Sequence, residues 1–154
     1  MSAIAVTTAP PDLRALPRAE WACVLIEHHR SGLPGFLGVE IEAIEPGRIA
    51  GRVALRDALL QTAGGILHAG TVVAFADTFA GWGCLASLPD GATGFVTSEL
   101  KANLVRATSA PDALTCVARL LHGGRTTQIW DVAVARESDG RAVAHFRCTQ
   151  HLLS

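Results

Sequence analysis

Residues 69–88 read AGTVVAFADTFAGWGCLASL, and this stretch decides the fold. It holds one charged side chain, Asp77, among residues that are otherwise apolar or small on every side. A helix that is apolar all round is enclosed either by lipid or by protein. About twenty residues would just span a bilayer. The carboxylate in mid-span, three glycines and the lack of a basic flank argue against lipid. The segments on both sides alternate apolar and polar residues, as half-buried strands do. The expectation is a long central helix wrapped by a curved antiparallel sheet.

Upstream of the helix, Pro17 can open a first helix, Trp21, Val24, Leu25 and His28 follow helical spacing, and Gly32 closes it. Residues 39–43 alternate strictly, and Glu45-Pro46-Gly47-Arg48 is a turn. In the returning strand Ile49, Gly51, Val53 and Leu55 alternate with Arg48, Arg52 and Arg56, which completes a hairpin. Downstream, residues 95–105, 113–121, 128–134 and 142–152 are four further strand segments. Ser109-Ala110-Pro111-Asp112, Gly123-Gly124 and Ser138-Asp139-Gly140 separate them. The order is helix, two strands, buried helix, four strands, an α+β arrangement. Residues 13–154 are expected to form one domain, with residues 1–12 as a loose tail.

The 154 residues suit one domain, and 49% apolar with 18% charged residues is enough for a real core. Thirteen basic against fourteen acidic residues give a net charge of −1, which argues against a nucleic-acid or anionic-membrane surface. Cys23, Cys84, Cys116 and Cys148 are far apart and form no CxxC, so no metal or other cofactor is expected. The N-terminus has no basic start and no long apolar run, which predicts no secretory leader, a cytoplasmic location and reduced thiols.

Two features could carry chemistry. Residues 61–70, QTAGGILHAG, lead into the helix, and the first helical N–H groups, near Ala69 and Gly70, lack intrahelical partners. Aimed at a carbonyl oxygen they would form an oxyanion site; otherwise this is a plain loop-to-helix junction. Asp77 is either a general base or nucleophile, or a polar group satisfied locally. His68 and Asp77 are nine residues apart, roughly 13.5 Å of helical rise. One chain cannot bring both to the same carbonyl, but two antiparallel copies of the helix can, so a shared site implies a two-fold dimer.

His68-Ala-Gly-x6-Asp77-Thr78 resembles the His-Gly-Gly-x6-Asp/Glu signature of hotdog-fold acyl-CoA thioesterases. Its nearest branches are the phenylacetate-pathway, 4-hydroxybenzoyl-CoA and 1,4-dihydroxy-2-naphthoyl-CoA thioesterases. Glu99-Leu-Lys-Ala-Asn103-Leu-Val-Arg106 is similar to their strand ending in Asn-x-x-Arg. Residues 121–130, LHGGRTTQIW, are similar to their His-x-Gly-Arg…Thr-Gln-x-Trp hairpin. The resemblance covers residues 35–153 and implies roles by position. Asp77 would attack the thioester or activate water, and Gln61 would help hold substrate or water. The Ala69 amide would polarise the carbonyl, with His68 shaping the turn. Gly70, Thr78 and Gly81 would border the substrate. Asn103, Leu104, Val105 and Arg106, with His122, Gly123, Gly124 and Arg125, would flank the CoA. The implied partner is an acyl-CoA, aromatic in several branches, and the implied assembly is a homodimer or homotetramer without nucleic acid or membrane.

This chain departs from the pattern at three places. Ala69 replaces the first Gly, Gln61 lies one residue further upstream than is common, and Gly81 stands where aromatic-acyl branches often carry Ser or Thr. Two rivals remain: an acyl-thioester hydratase or dehydratase, and a non-catalytic acyl-CoA-binding domain. The hydratase's Asp-x4-Asn-Pro-x-His pattern is absent. Gly81-Trp-Gly83-Cys-Leu-Ala86 lies inside a helix and does not follow a strand, which argues against a dinucleotide loop. His28 and His29 are adjacent on a helix and cannot face one metal together. His145 and His151 are expected on a solvent face, Trp21, Trp82 and Trp130 in the core or an interface, and Phe79 with Trp82 beside the acyl group.

Overall fold

The computed structural model describes residues 9–61 and 64–154. Helix α3 (Ala69–Leu85) is its axis, and it begins where the sequence places it. His68 is the N-cap: its backbone is extended, and its Nδ1 accepts the Gly70 N–H at 2.8 Å. The helix ends three residues before the apolar run does. There the Ser87 hydroxyl accepts the Gly47 N–H at 2.8 Å, and the Ser87 carbonyl accepts from Gln128 Nε2 at 2.8 Å. Gln128 Oε1 in turn accepts the Trp130 indole N–H at 2.8 Å. A buried glutamine thus ties the end of α3 to the sheet.

The sheet comprises β1 (Val39–Glu45), β2 (Arg48–Ala54), β3 (Gly94–Leu104), β4 (Ala113–Gly123), β5 (Thr127–Arg136) and β6 (Ala142–Leu153). Their order is β1-β2-β4-β5-β6-β3, with every neighbour antiparallel. This is the α+β hotdog architecture expected of the sequence. Strand alternation sets the faces. On β6, Phe146, Cys148, Gln150 and Leu152 are buried, while His145, Arg147 and His151 are exposed. A bulge at Ser98 in β3 keeps Thr97, before it, and Leu100, after it, on the same face.

Glycines let the helix lie close to the sheet. A Cβ on Gly83 would sit 2.7 Å from the Trp130 ring, and one on Gly81 2.7 Å from the Phe95 ring. From the sheet side, a Cβ on Gly51 would meet the Phe79 ring at 2.5 Å. Helix-interior glycine costs about 1 kcal/mol relative to alanine. Here that cost permits aromatic rings to pack directly against backbone, where dispersion and apolar burial return it.

Helix α1 (Trp21–His28) covers one flank, with Trp21 and Leu25 buried. Helix α2 (Leu33–Leu37) follows it and is an element that periodicity did not announce, being five residues long. The two sheet edges differ. β1 carries exposed Glu40, Glu42 and Glu45, whereas β3 exposes Val96, Leu100 and Leu104. No helix among the described residues is long and apolar enough to cross a membrane.

Candidate active site

Asp77 sits on the face of α3 that crosses β3, half-buried and opposite Thr97. Asp77, Thr78 and Gly81 open on a cleft of about 350 Å³, walled by Trp82, Phe95 and His29 and rimmed by Ala9 and Pro10. Burial pushes the Asp77 carboxyl above the usual carboxylate range, and the Thr97 hydroxyl, donating to Oδ1 at 3.2 Å, draws it partly back. Burial holds His29 below the usual histidine range, so the ring is neutral at pH 7. Its Nδ1 lies 2.9 Å from the Leu25 carbonyl and 3.3 Å from the Trp82 indole nitrogen. Phe79, expected beside the acyl group, is instead fully buried against Gly51, and Trp82 alone of that pair reaches the cleft.

The α3 N-terminus is a separate place. His68, Ala69 and Gly70 are exposed there. The cap occupies the Gly70 N–H, and the Thr71 N–H donates to the His68 carbonyl at 3.0 Å. Among the described residues, nothing accepts the Ala69 N–H. Ala69 and Asp77 are about 12 Å apart along the axis at 1.5 Å per residue. Gly64 and Gly65, with φ of +85° and +61°, both adopt the left-handed region that favours glycine and turn the chain into the helix. Gln61 is exposed, and its N–H donates to the Ile66 carbonyl at 2.7 Å. Residues 62 and 63, between Gln61 and the glycines, lie outside the described residues.

The two groups assigned to CoA lie far apart within one chain. Asn103 and Leu104 end β3, with Val105 and Arg106 just beyond, and Leu104 pairs with Ala144 of β6. His122 and Gly123 end β4, with Gly124 and Arg125 in the following turn. Gly123 pairs with Gln128, which pairs with Gln150 of β6. Ala144 and Gln150 are separated by about 20 Å of strand. All eight residues are exposed except Gly124, which is half-buried. Arg106 Nε donates to the Ala142 carbonyl at 3.3 Å. Gly124 leaves room for His122, since a Cβ there would lie 2.8 Å from its Nε2. Among the described residues no three His, Cys, Asp or Glu side chains gather as a metal site.

Sequence reasoning missed Thr97 and Gln150. Thr97 is an ordinary strand residue whose partner depends on register. Gln150 did leave a signal, because a polar side chain occupies a buried phase of β6, in step with Phe146, Cys148 and Leu152.

Comparison with known proteins identifies the family. The family model described as the thioesterase superfamily matches residues 64–143, just over half of the chain. A 1,4-dihydroxy-2-naphthoyl-CoA hydrolase of Listeria monocytogenes is 28% identical over 118 residues, covering 77% of this chain and 93% of the relative. The crystal structure of AziG from S. sahachiroi is 31% identical, with a TM-score of 0.72 over 77% of this chain and 94% of its own. A thioesterase protein of Streptococcus pneumoniae, solved with coenzyme A, is 25% identical, with a TM-score of 0.69 over 75% and 86%. Because the family model covers all of α3, with Asp77, and runs on through β3, β4 and β5, and the relatives carry hydrolase and thioesterase names, this chain belongs to the thioesterase superfamily and is a thioester hydrolase.

Proposed function

We propose that the substrate is an acyl-CoA, cleaved to free acid and CoA at a site shared by two protomers. The observation that carries this reading is Asp77, a carboxylate half-buried beside a largely apolar cleft and pushed above its usual range by burial. A carboxylate desolvated in this way is a stronger base, suited to proton abstraction near neutral pH. A thioester is already activated, so one oriented carboxylate and one oxyanion donor suffice. Asp77 supplies the attacking oxygen, either its own or that of a water it deprotonates. The Ala69 amide, at the positive end of the α3 dipole, receives the developing oxyanion.

Two-fold pairing follows from distance. The 12 Å or so between Ala69 and Asp77 within one helix exceeds what a single carbonyl can bridge. The open β3 edge, with Val96, Leu100 and Leu104 exposed on it, favours antiparallel addition of a second copy, which would bring one helix N-terminus toward the partner's Asp77. Residues 103–106 and 122–125, far apart within one chain, would flank one CoA most compactly if they come from different protomers. The cleft wall of Trp82 and Phe95, with no lysine or arginine, favours an apolar or aromatic acyl group. Coenzyme A in the pneumococcal relative supports a CoA thioester.

A panel of aromatic, short-chain and long-chain acyl-CoAs, read by a thiol-reactive dye, tests this reading. Turnover of at least one substrate, lost in a folded Asp77→Asn variant by roughly 10² or more, is expected. Saturable binding without turnover would favour the non-catalytic acyl-CoA-binding reading.

A further inference from the structure

Thr97 has one hydroxyl proton and lies between two oxygens. Its Oγ1 is 3.2 Å from Asp77 Oδ1 and 3.0 Å from the side-chain oxygen of Gln150. Gln150 is fully buried, and its amide nitrogen lies 3.3 Å from the buried Cys148 sulfur. One proton cannot serve both oxygens. The oxygen and nitrogen of a primary amide have nearly the same outline, so the hydrogen-bond network decides which is which. With the two exchanged, Gln150 donates an N–H to Thr97 Oγ1 and accepts the S–H of Cys148. Every group then has a partner, and the Thr97 proton has one acceptor left, Asp77. Cys148 has a proton to give, because burial and the nearby Asp77 carboxylate push its thiol up to about 12. Gln128, on the adjacent strand, shows the contrast: its nitrogen faces a carbonyl and its oxygen an indole N–H, so its orientation is fixed.

We propose that Cys148, Gln150 and Thr97 form a directional donor chain that aims one hydrogen bond at Asp77, with Thr97 and Gln150 as positioning residues for thioester hydrolysis. The inference rests on the catalytic reading of Asp77. The chain does two things. It favours the carboxylate over the acid in a cleft that otherwise disfavours charge. It also occupies Oδ1, which leaves Oδ2, unpartnered among the described residues, for the attack.

Few other groups face Asp77. His28 at the end of α1 and neutral His29 just after it border the same cleft, and Cys84 shares the helix of Asp77. Cys148 approaches from β6. The Glu99 carboxylate of β3 is turned to the Thr149 hydroxyl, 3.1 Å away on the outer face. Among the described residues no lysine or arginine lines the cleft, and the Thr97 hydrogen bond is the one interaction there that favours the charged form.

The test follows Asp77 directly. Protein labelled with ¹³C at the aspartate carboxyls is titrated by NMR, and the Asp77 signal is assigned by its loss in Asp77→Asn. Thr97→Val should move the Asp77 titration to higher pH. It should also cost roughly tenfold in kcat/KM at the acid end, the equivalent of one hydrogen bond to a charged group, with the loss narrowing as pH rises. Thr97→Ser should restore both. Gln150→Glu presents only acceptors to Thr97 when ionised, diverts its proton and should move the titration the same way. An Asp77 titration unmoved in folded Thr97→Val overturns the donor chain, whatever the behaviour of the Gln150 variant. An active Asp77→Asn variant would instead overturn the catalytic reading, and the titration shift would still judge the chain by itself.

Discussion

Asp77 weakens the fold as well as serving it. Burial raises its folded pKa above the unfolded value. Its favourable contribution to stability is therefore complete below the unfolded carboxylate range and is lost as pH rises through the folded value. Asp77→Asn should melt with the wild type at acid pH and above it toward neutrality, the gap widening between those limits. Calorimetry across that range checks the sign; a variant that melts progressively lower as pH rises would mean that a cation pairs with the carboxylate. Asp77 was legible in the sequence because one charge inside twenty apolar or small residues stands out. Thr97 was not, because its role comes from a register across two strands and from the bulge beside it. A single strand's alternation shows which face a residue occupies, but not what lies opposite.

Among the elements, α3 was the easiest to read at its start and the hardest at its end. His68 and Gly70 mark the cap, but the apolar run continues through Leu88 after the helix has stopped. Pro89 marks the stop locally, because it has no N–H for the Leu85 carbonyl and disfavours helical geometry at Leu88, and the remote Gln128 and Gly47 then claim Ser87. Helix α2 went unread because the five residues LPGFL are too short to show a period. The packing of α3 makes a further prediction. An alanine in place of an exposed helical glycine gains about 1 kcal/mol. At Gly83 the new methyl would meet the Trp130 ring at 2.7 Å and Ile49 at 3.2 Å. Overpacking of this kind costs typically 1–3 kcal/mol, so Gly83→Ala should lower the urea midpoint with the slope unchanged. A raised midpoint would show that the ring yields freely and that the close approach is incidental.

The whole molecule is where the proposed site is completed, and complementation tests that directly. Asp77→Asn and Gly70→Val each remove one half of the site. Equal amounts unfolded and refolded together should give about half heterodimers, each with one site carrying both lesions and one carrying neither. Activity should return to roughly a quarter of wild type, from two parents that are each inactive. Verified heterodimers without activity would place the whole site in one chain. The sequence carried this two-chain expectation in one number, the nine-residue spacing of His68 and Asp77. It offered no candidate mating surface, because the strand order that leaves β3 at an edge is not written in any single strand.

The glutamates of β1 bear on how far such addition can go. The β3 edge mixes exposed Val96, Leu100 and Leu104 with charged and polar residues, the β1 edge is acidic, and the proposed β3 pair would leave β1 at both outer ends. Further growth would set Glu42 and Glu45 of one copy against those of another, like charges across a forming ladder. In the proposed dimer the acidic strand would act as a chain terminator in the polymer chemist's sense. Without it, a molecule with two open edges is a monomer for fibre growth. Glu42→Thr with Glu45→Thr should leave turnover intact, yet turn clear protein solutions thioflavin-positive over days. Solutions that stay clear would mean that twist or the neighbouring helices, and not charge, keep that edge closed.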